Sequence, residues 1–131
     1  MKVKSQAAIL RFFVVANLLF VTTPVSMADE VSKDFWMDAM KSELPKTFCQ
    51  SMEFFRECFD VSEDQCIEAA SLATKICMHQ YINQIPDTLV QPKDGAKWSN
   101  IIGQCAGENY HQTLNRMFKN TKECNEIDYW K

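Results

Sequence analysis

Glycine and proline are scarce in this chain, with three and four residues in 131. A β-sandwich or barrel needs many tight turns, and those turns lean on these two residue types, so an all-β architecture has little to build on. Histidine is nearly as rare, with only His79 and His111. No H-E-x-x-H, C-x2-C or Gly-rich phosphate-loop pattern occurs. Zinc, dithiol-redox and nucleotide chemistry therefore lack a local motif, and no metal, cofactor or catalytic residue is expected. Positive charge is also short, because 14 Lys and Arg face 17 Asp and Glu.

No apolar run reaches the about 20 residues that cross a bilayer. The longest, residues 12–21, follows Lys2, Lys4 and Arg11 and precedes Thr22, Thr23, Pro24 and the triplet Ser26-Met27-Ala28. A basic start, a short apolar stretch and a small-x-Ala site make up a secretory signal peptide. Residues 1–28 are therefore expected to be a cleaved leader and 29–131 a single domain of 103 residues (131 minus 28). The mature form is expected to be exported, periplasmic or secreted, and not to span a membrane. Cleavage removes three bases, leaving a charge of 11 minus 17, or −6. Nucleic acid is a poor partner for such a surface. The acids concentrate early, with 11 acids against 4 bases over residues 29–68. That half is complementary to a basic protein partner.

What is present in quantity is cysteine. Cys49, Cys58, Cys66, Cys77, Cys105 and Cys124 all follow the leader, and an even count in a small exported chain implies three disulfides. Apolar periodicity around them is helical, so the expected fold is all-α, a small disulfide-stapled bundle of four to five helices. A first helix is predicted over 32–42, ended or kinked by Pro45. Phe48, Met52, Phe55 and Phe59 repeat at helical spacing and predict a second helix bearing a continuous aromatic stripe. Ser62-Glu63-Asp64-Gln65 is a capping box that opens a third, with Cys66, Ala69, Ala70, Ala73 and Cys77 on one face and an end before Pro86. Residues 85–95, with Pro86, Pro92 and the Asp94-Gly95 pair, read as a connector. A last helix carries Trp98, Ile101, Ile102, Cys105, Tyr110 and Leu114, and Gly103 and Gly107 mark either a close helix crossing or a break, with a kink allowed near Gly107.

If the second and third helices form an antiparallel hairpin, the bridges nest as Cys49–Cys77 and Cys58–Cys66, and Cys105–Cys124 follows by elimination. Cys49 and Cys58 fall on opposite helix faces, which strains this scheme.

General acid-base chemistry needs a positioned pair in a cleft. Glu108 and His111 share a helix face, but their spacing alone reads as a surface pair. Cys77-Met78-His79-Gln80 lacks the His-Asp dyad of the secreted phospholipases.

The functional expectation is a non-catalytic exported protein-interaction module of a bacterial envelope: an inhibitor, an immunity protein, or a secretion accessory or chaperone. Its candidate surface comprises Asp34, Asp38, Glu43, Glu53, Glu57, Asp60, Pro92 and Asp94. The alternative is a secreted carrier of lipid or a small apolar ligand, with Phe48, Phe54, Phe55, Phe59 and methionines around an internal cavity. Tyr129-Trp130 would be an exposed contact or a plug over Cys124.

Overall fold

A computed structural model describes residues 29–126 and 128, so the leader expected at 1–28 and the Tyr129-Trp130 tail lie outside the described residues. Five helices make an all-α bundle stapled by three disulfides, with one small two-stranded ribbon added.

The ribbon pairs β1 (Glu30–Ser32) antiparallel with β2 (Thr88–Val90), Val31 opposite Leu89. Strands of three residues leave almost no periodic signal in a sequence. Tertiary support holds them here: Leu89 is fully buried, and Lys33 binds the approach to β2 by an ion pair to Asp87 Oδ1 at 2.6 Å and an N–H donated to Asp87 O at 2.9 Å.

Helix α1 (Lys33–Phe48) starts where Ser32 Oγ accepts the Phe35 N–H. It does not stop at residue 42 and runs through Pro45 to Phe48. A proline one turn from a helix end removes only a single backbone bond, and this one is fully buried in the core, so packing outweighs the loss. The chain then turns over residues 49–53, with Met52 at φ 69° in the left-handed region. That reversal prevents the long aromatic helix expected from Phe48 to Phe59, and α2 (Phe54–Glu57) is a single turn.

Helix α3 (Glu63–Tyr81) begins at the expected capping box, with Ser62 Oγ accepting the Gln65 N–H and Gln65 Oε1 accepting the Ser62 N–H. Its face of Cys66, Ala70, Ala73 and Cys77 is buried. These small side chains let α1 pack on one side of α3, and α4 (Lys93–Thr113) on the other.

Asp94-Gly95 belongs to the first turn of α4 instead of forming a loop. Asp94 Oδ2 accepts the Val90 N–H at 2.9 Å, and the Gln91 side chain occupies the space beside Gly95 that a Cβ would need. Helix α4 is also unbroken at Gly103 and Gly107. Beyond a 3-10 turn at Asn115–Met117, Phe118 bridges back to Phe59. The chain closes with α5 (Lys122–Asn125), capped by Thr121.

The disulfides differ from the nested scheme. They join Cys49 to Cys66, Cys58 to Cys124 and Cys77 to Cys105, and each links two different elements. The nested pairing of Cys49–Cys77, Cys58–Cys66 and Cys105–Cys124 assumed a long second helix lying against α3. Because α1 takes that place and ends at Phe48, Cys49 sits beside the start of α3, where Cys66 is, and not beside its end. Cys58, at the end of the one-turn α2, is then left to meet Cys124 on α5.

Candidate functional site

Four aromatic residues that cannot share one helix are instead gathered by the turn at Met52. Phe48 at the end of α1 stacks on Phe55 of α2 with ring centroids 4.2 Å apart. Phe54 meets Phe55 edge-on at 5.2 Å, and Phe59 and Phe55 each pack edge-on against Tyr110 of α4, at 5.0 Å and 5.2 Å. Tyr110 donates its hydroxyl to the Phe55 carbonyl at 3.0 Å, anchoring the corner to α4. Burial pushes the Tyr110 phenol up to about 12, with Arg56 opposing the shift.

Gly107 makes this docking possible, since a Cβ there would lie 2.8 Å from Cζ of Phe55. One turn earlier, a Cβ on Gly103 would meet nothing within 4 Å, because the space above it is open. That space is a groove of about 660 Å³ between the aromatic corner and the outer face of α4. Phe48, Phe54 and Phe55 form one wall. Asn100, Gln104, Glu108, His111 and Gln112 line the other side. The carboxamides can each donate and accept hydrogen bonds. Among the described residues, Glu108 is the only carboxylate lining the groove, and no Lys or Arg lines it. The His111 ring stands edge-on to Phe59 at 5.6 Å and to Phe118 at 5.1 Å, so it helps close the end of the groove.

The aromatic cluster thus fills its own interior and borders an open surface. Phe59 is fully buried, and the methionines divide, Met37 and Met78 in the core and Met52 and Met117 exposed.

The acidic candidates fall into separate places. Asp34 and Asp38 lie one turn apart on exposed α1, and Asp38 is paired with Lys41 at 3.0 Å. Glu43 pairs with Lys46 at 2.9 Å, and the hydrogen bonds from Lys46 and Ser42 hold its carboxyl below the usual range. Lys33 does the same for Asp87. Glu53 and Asp60 flank α2 and Glu57 is its last residue, accepting the Met52 N–H. Exposed Pro92 and partly buried Asp94 sit at the start of α4, at the ribbon end. None of these lines the groove; Glu53 immediately precedes its wall residue Phe54 in the chain, whereas Asp34 starts α1 and Pro92 and Asp94 start α4. Sequence reasoning missed Gly103 and Gly107 as parts of a site, although their i, i+4 spacing puts both on one helix face.

Among the described residues no helix is long and apolar enough to cross a membrane, and no group of three or more His, Cys, Asp or Glu could hold a metal ion. No curated protein and no solved structure matches the chain. A protein-family model, described as T2SS substrate NttA, matches residues 30–117, from β1 through the 3-10 turn after α4. That span takes in more than half of the chain, including the whole groove, and the chain therefore belongs to the T2SS substrate NttA family of exported proteins.

Proposed function

We propose that this protein is a non-catalytic interaction module, released from a bacterium by type II secretion after removal of residues 1–28, and that it binds a basic protein segment in the groove over Gly103. Membership in a family of T2SS substrates supports the route. The observation that carries the binding role is the groove itself, preformed by the Phe48–Phe55 stack and the Gly107 contact. Its aromatic wall suits an apolar side chain, and the amides of Asn100, Gln104 and Gln112 suit the main chain of an extended peptide. Glu108 in the groove and the mature charge of −6 (11 minus 17) favour flanking Lys or Arg.

Gly103 provides a clean test, since a side chain there projects into the groove and not into the core. Peptides selected from a random display library against the oxidised mature protein are expected to carry an apolar residue flanked by bases. Gly103→Trp is expected to weaken their binding by about 100-fold, the equivalent of ~2.7 kcal/mol, with the thermal midpoint nearly unchanged. Equal binding by Gly103→Trp contradicts the groove assignment, and recovery of lipid alone from the native compartment contradicts the protein-binding role.

A further inference from the structure

We propose that the Cys77–Cys105 bridge is a thiol-exchange site, at which a small thiolate attacks Cys105 Sγ and Cys77 Sγ leaves. Five of the six cysteines are buried, and Cys105 is the half-buried one. It borders a second, polar cleft of about 330 Å³, formed with Gln80, Tyr81, Gln104, Glu108 and Asn109. A low-molecular-weight thiol fits that space. The bridges Cys49–Cys66 and Cys58–Cys124 each join two buried cysteines.

Exchange rate depends on access to the attacked sulfur and on the stability of the departing thiolate. Asn109 serves the second requirement. Its Nδ2 donates to the Cys105 carbonyl at 3.0 Å, which fixes the side chain, and to Cys77 Sγ at 3.4 Å. A carboxamide nitrogen has two hydrogens, so one serves the carbonyl while the other faces the bridge, nearer to Cys77 Sγ than to Cys105 Sγ. The donor therefore already faces the buried sulfur that would gain negative charge. The same Nδ2 lies 3.7 Å from Cys105 Sγ, farther than from Cys77 Sγ, and Gln80 Oε1, 3.9 Å from Cys105 Sγ, has no thiol proton to accept from a disulfide sulfur.

In the exchange the attacking thiolate forms a new S–S bond to Cys105 Sγ. The old bond breaks, its electron pair passes to Cys77 Sγ, and solvent then protonates the resulting thiolate. A monothiol stops at the mixed disulfide on Cys105. With a dithiol, the second thiolate attacks the dithiol-derived sulfur, the pair passes to Cys105 Sγ, and the reagent departs as a cyclic disulfide. The protein gains two electrons and the dithiol loses two. Glu108 on the cleft rim repels anionic reagents, so a cationic thiol is the preferred class. This inference is independent of groove binding, although Gln104 and Glu108 border both clefts.

The test treats the intact oxidised protein with limiting cysteamine, quenches with N-ethylmaleimide at intervals and maps every cysteine by mass spectrometry. Cysteamine is expected on Cys105 and maleimide on Cys77, at least about tenfold faster than labelling at either other bridge. Glutathione, which is anionic, is expected to react more slowly at equal thiolate concentration, and Glu108→Gln to narrow that difference. Asn109→Ala is expected to slow opening of this bridge by several-fold. A purely structural role for Asn109 gives the opposite sign, because loosened packing accelerates exchange. First labelling at Cys49, Cys58, Cys66 or Cys124, an adduct on Cys77, or unslowed exchange in Asn109→Ala each overturns the proposal.

Discussion

Gly103 and Gly107 have the same chemistry, the same helix and opposite surroundings. Replacing Gly103 by Ala removes the entropic penalty of glycine in a helix and meets open space, so it is expected to stabilise by about 0.5–1 kcal/mol. That raises the thermal midpoint by several degrees in a domain of about 100 residues. Gly107→Ala drives a methyl into the Phe55 ring and is expected to cost ~1–3 kcal/mol as the aromatic corner shifts. Thermal unfolding of the two variants, monitored by circular dichroism, tests the pair, and stabilisation by both would contradict the close packing of α2 on α4. Tyr110 supplies a pH signature at the same corner. Its phenol is raised from 10.0 to about 12, mainly by burial, so the folded state holds its proton more tightly than the unfolded state does. The associated stability is complete below about pH 10 and falls as pH rises from there toward 12. Absorbance titration at 295 nm should show one tyrosine ionising only as the fold is lost. Tyr110→Phe should remove that delay and cost ~1–3 kcal/mol, because the Phe55 carbonyl then loses the hydroxyl partner supplied by Tyr110.

The elements were legible in the sequence where their signals are local. Helix α3 is the clearest case, because Ser62 and Gln65 bond to each other's backbone within one turn. Ser62→Ala is expected to cost about 1 kcal/mol, read as a lower urea midpoint with an unchanged slope. Helix α1 outran its predicted end because the burial that favours Pro45 involves residues distant in sequence. The spacing of Phe48, Met52, Phe55 and Phe59 predicts a stripe on one helix and the structure breaks it, because periodicity cannot distinguish a continuous helix from two segments folded together at a positive-φ Met52. The ribbon was invisible because three residues carry no period. The candidate site suffered in the same way: two glycines in one helix read equally as a close crossing or a break, and only the packing of Phe55 on Gly107, with Gly103 left bare, tells their roles apart. The acidic residues were legible as a charge excess, but ion pairs such as Asp38–Lys41 and Glu43–Lys46 occupy several of them locally.

For the molecule as a whole, bridge connectivity depends on topology more than on cysteine spacing. Once α1 and α4 flank α3, the bridges tie α1's end to α3, α2 to α5, and α3 to α4. The spans closed are 17, 66 and 28 residues, so each bridge taken alone removes about 3–4 kcal/mol of unfolded-chain entropy. Non-reducing peptide mapping is expected to return these three pairs, and recovery of Cys49 with Cys77 would overturn the topology. Two of these staples fix the end of α1 and α4 to the same helix, α3, and so bear on the spacing of the groove's two walls. The most direct measurement of its role is an amide NMR titration of the oxidised mature protein with a synthetic peptide bearing one Phe flanked by lysines. Saturable shifts centred on Asn100, Gly103, Gln104 and Gly107, abolished by Gly103→Trp, are the predicted result. Shifts confined to the ribbon end near Asp34 and Asp94, or none at saturating peptide, would contradict it.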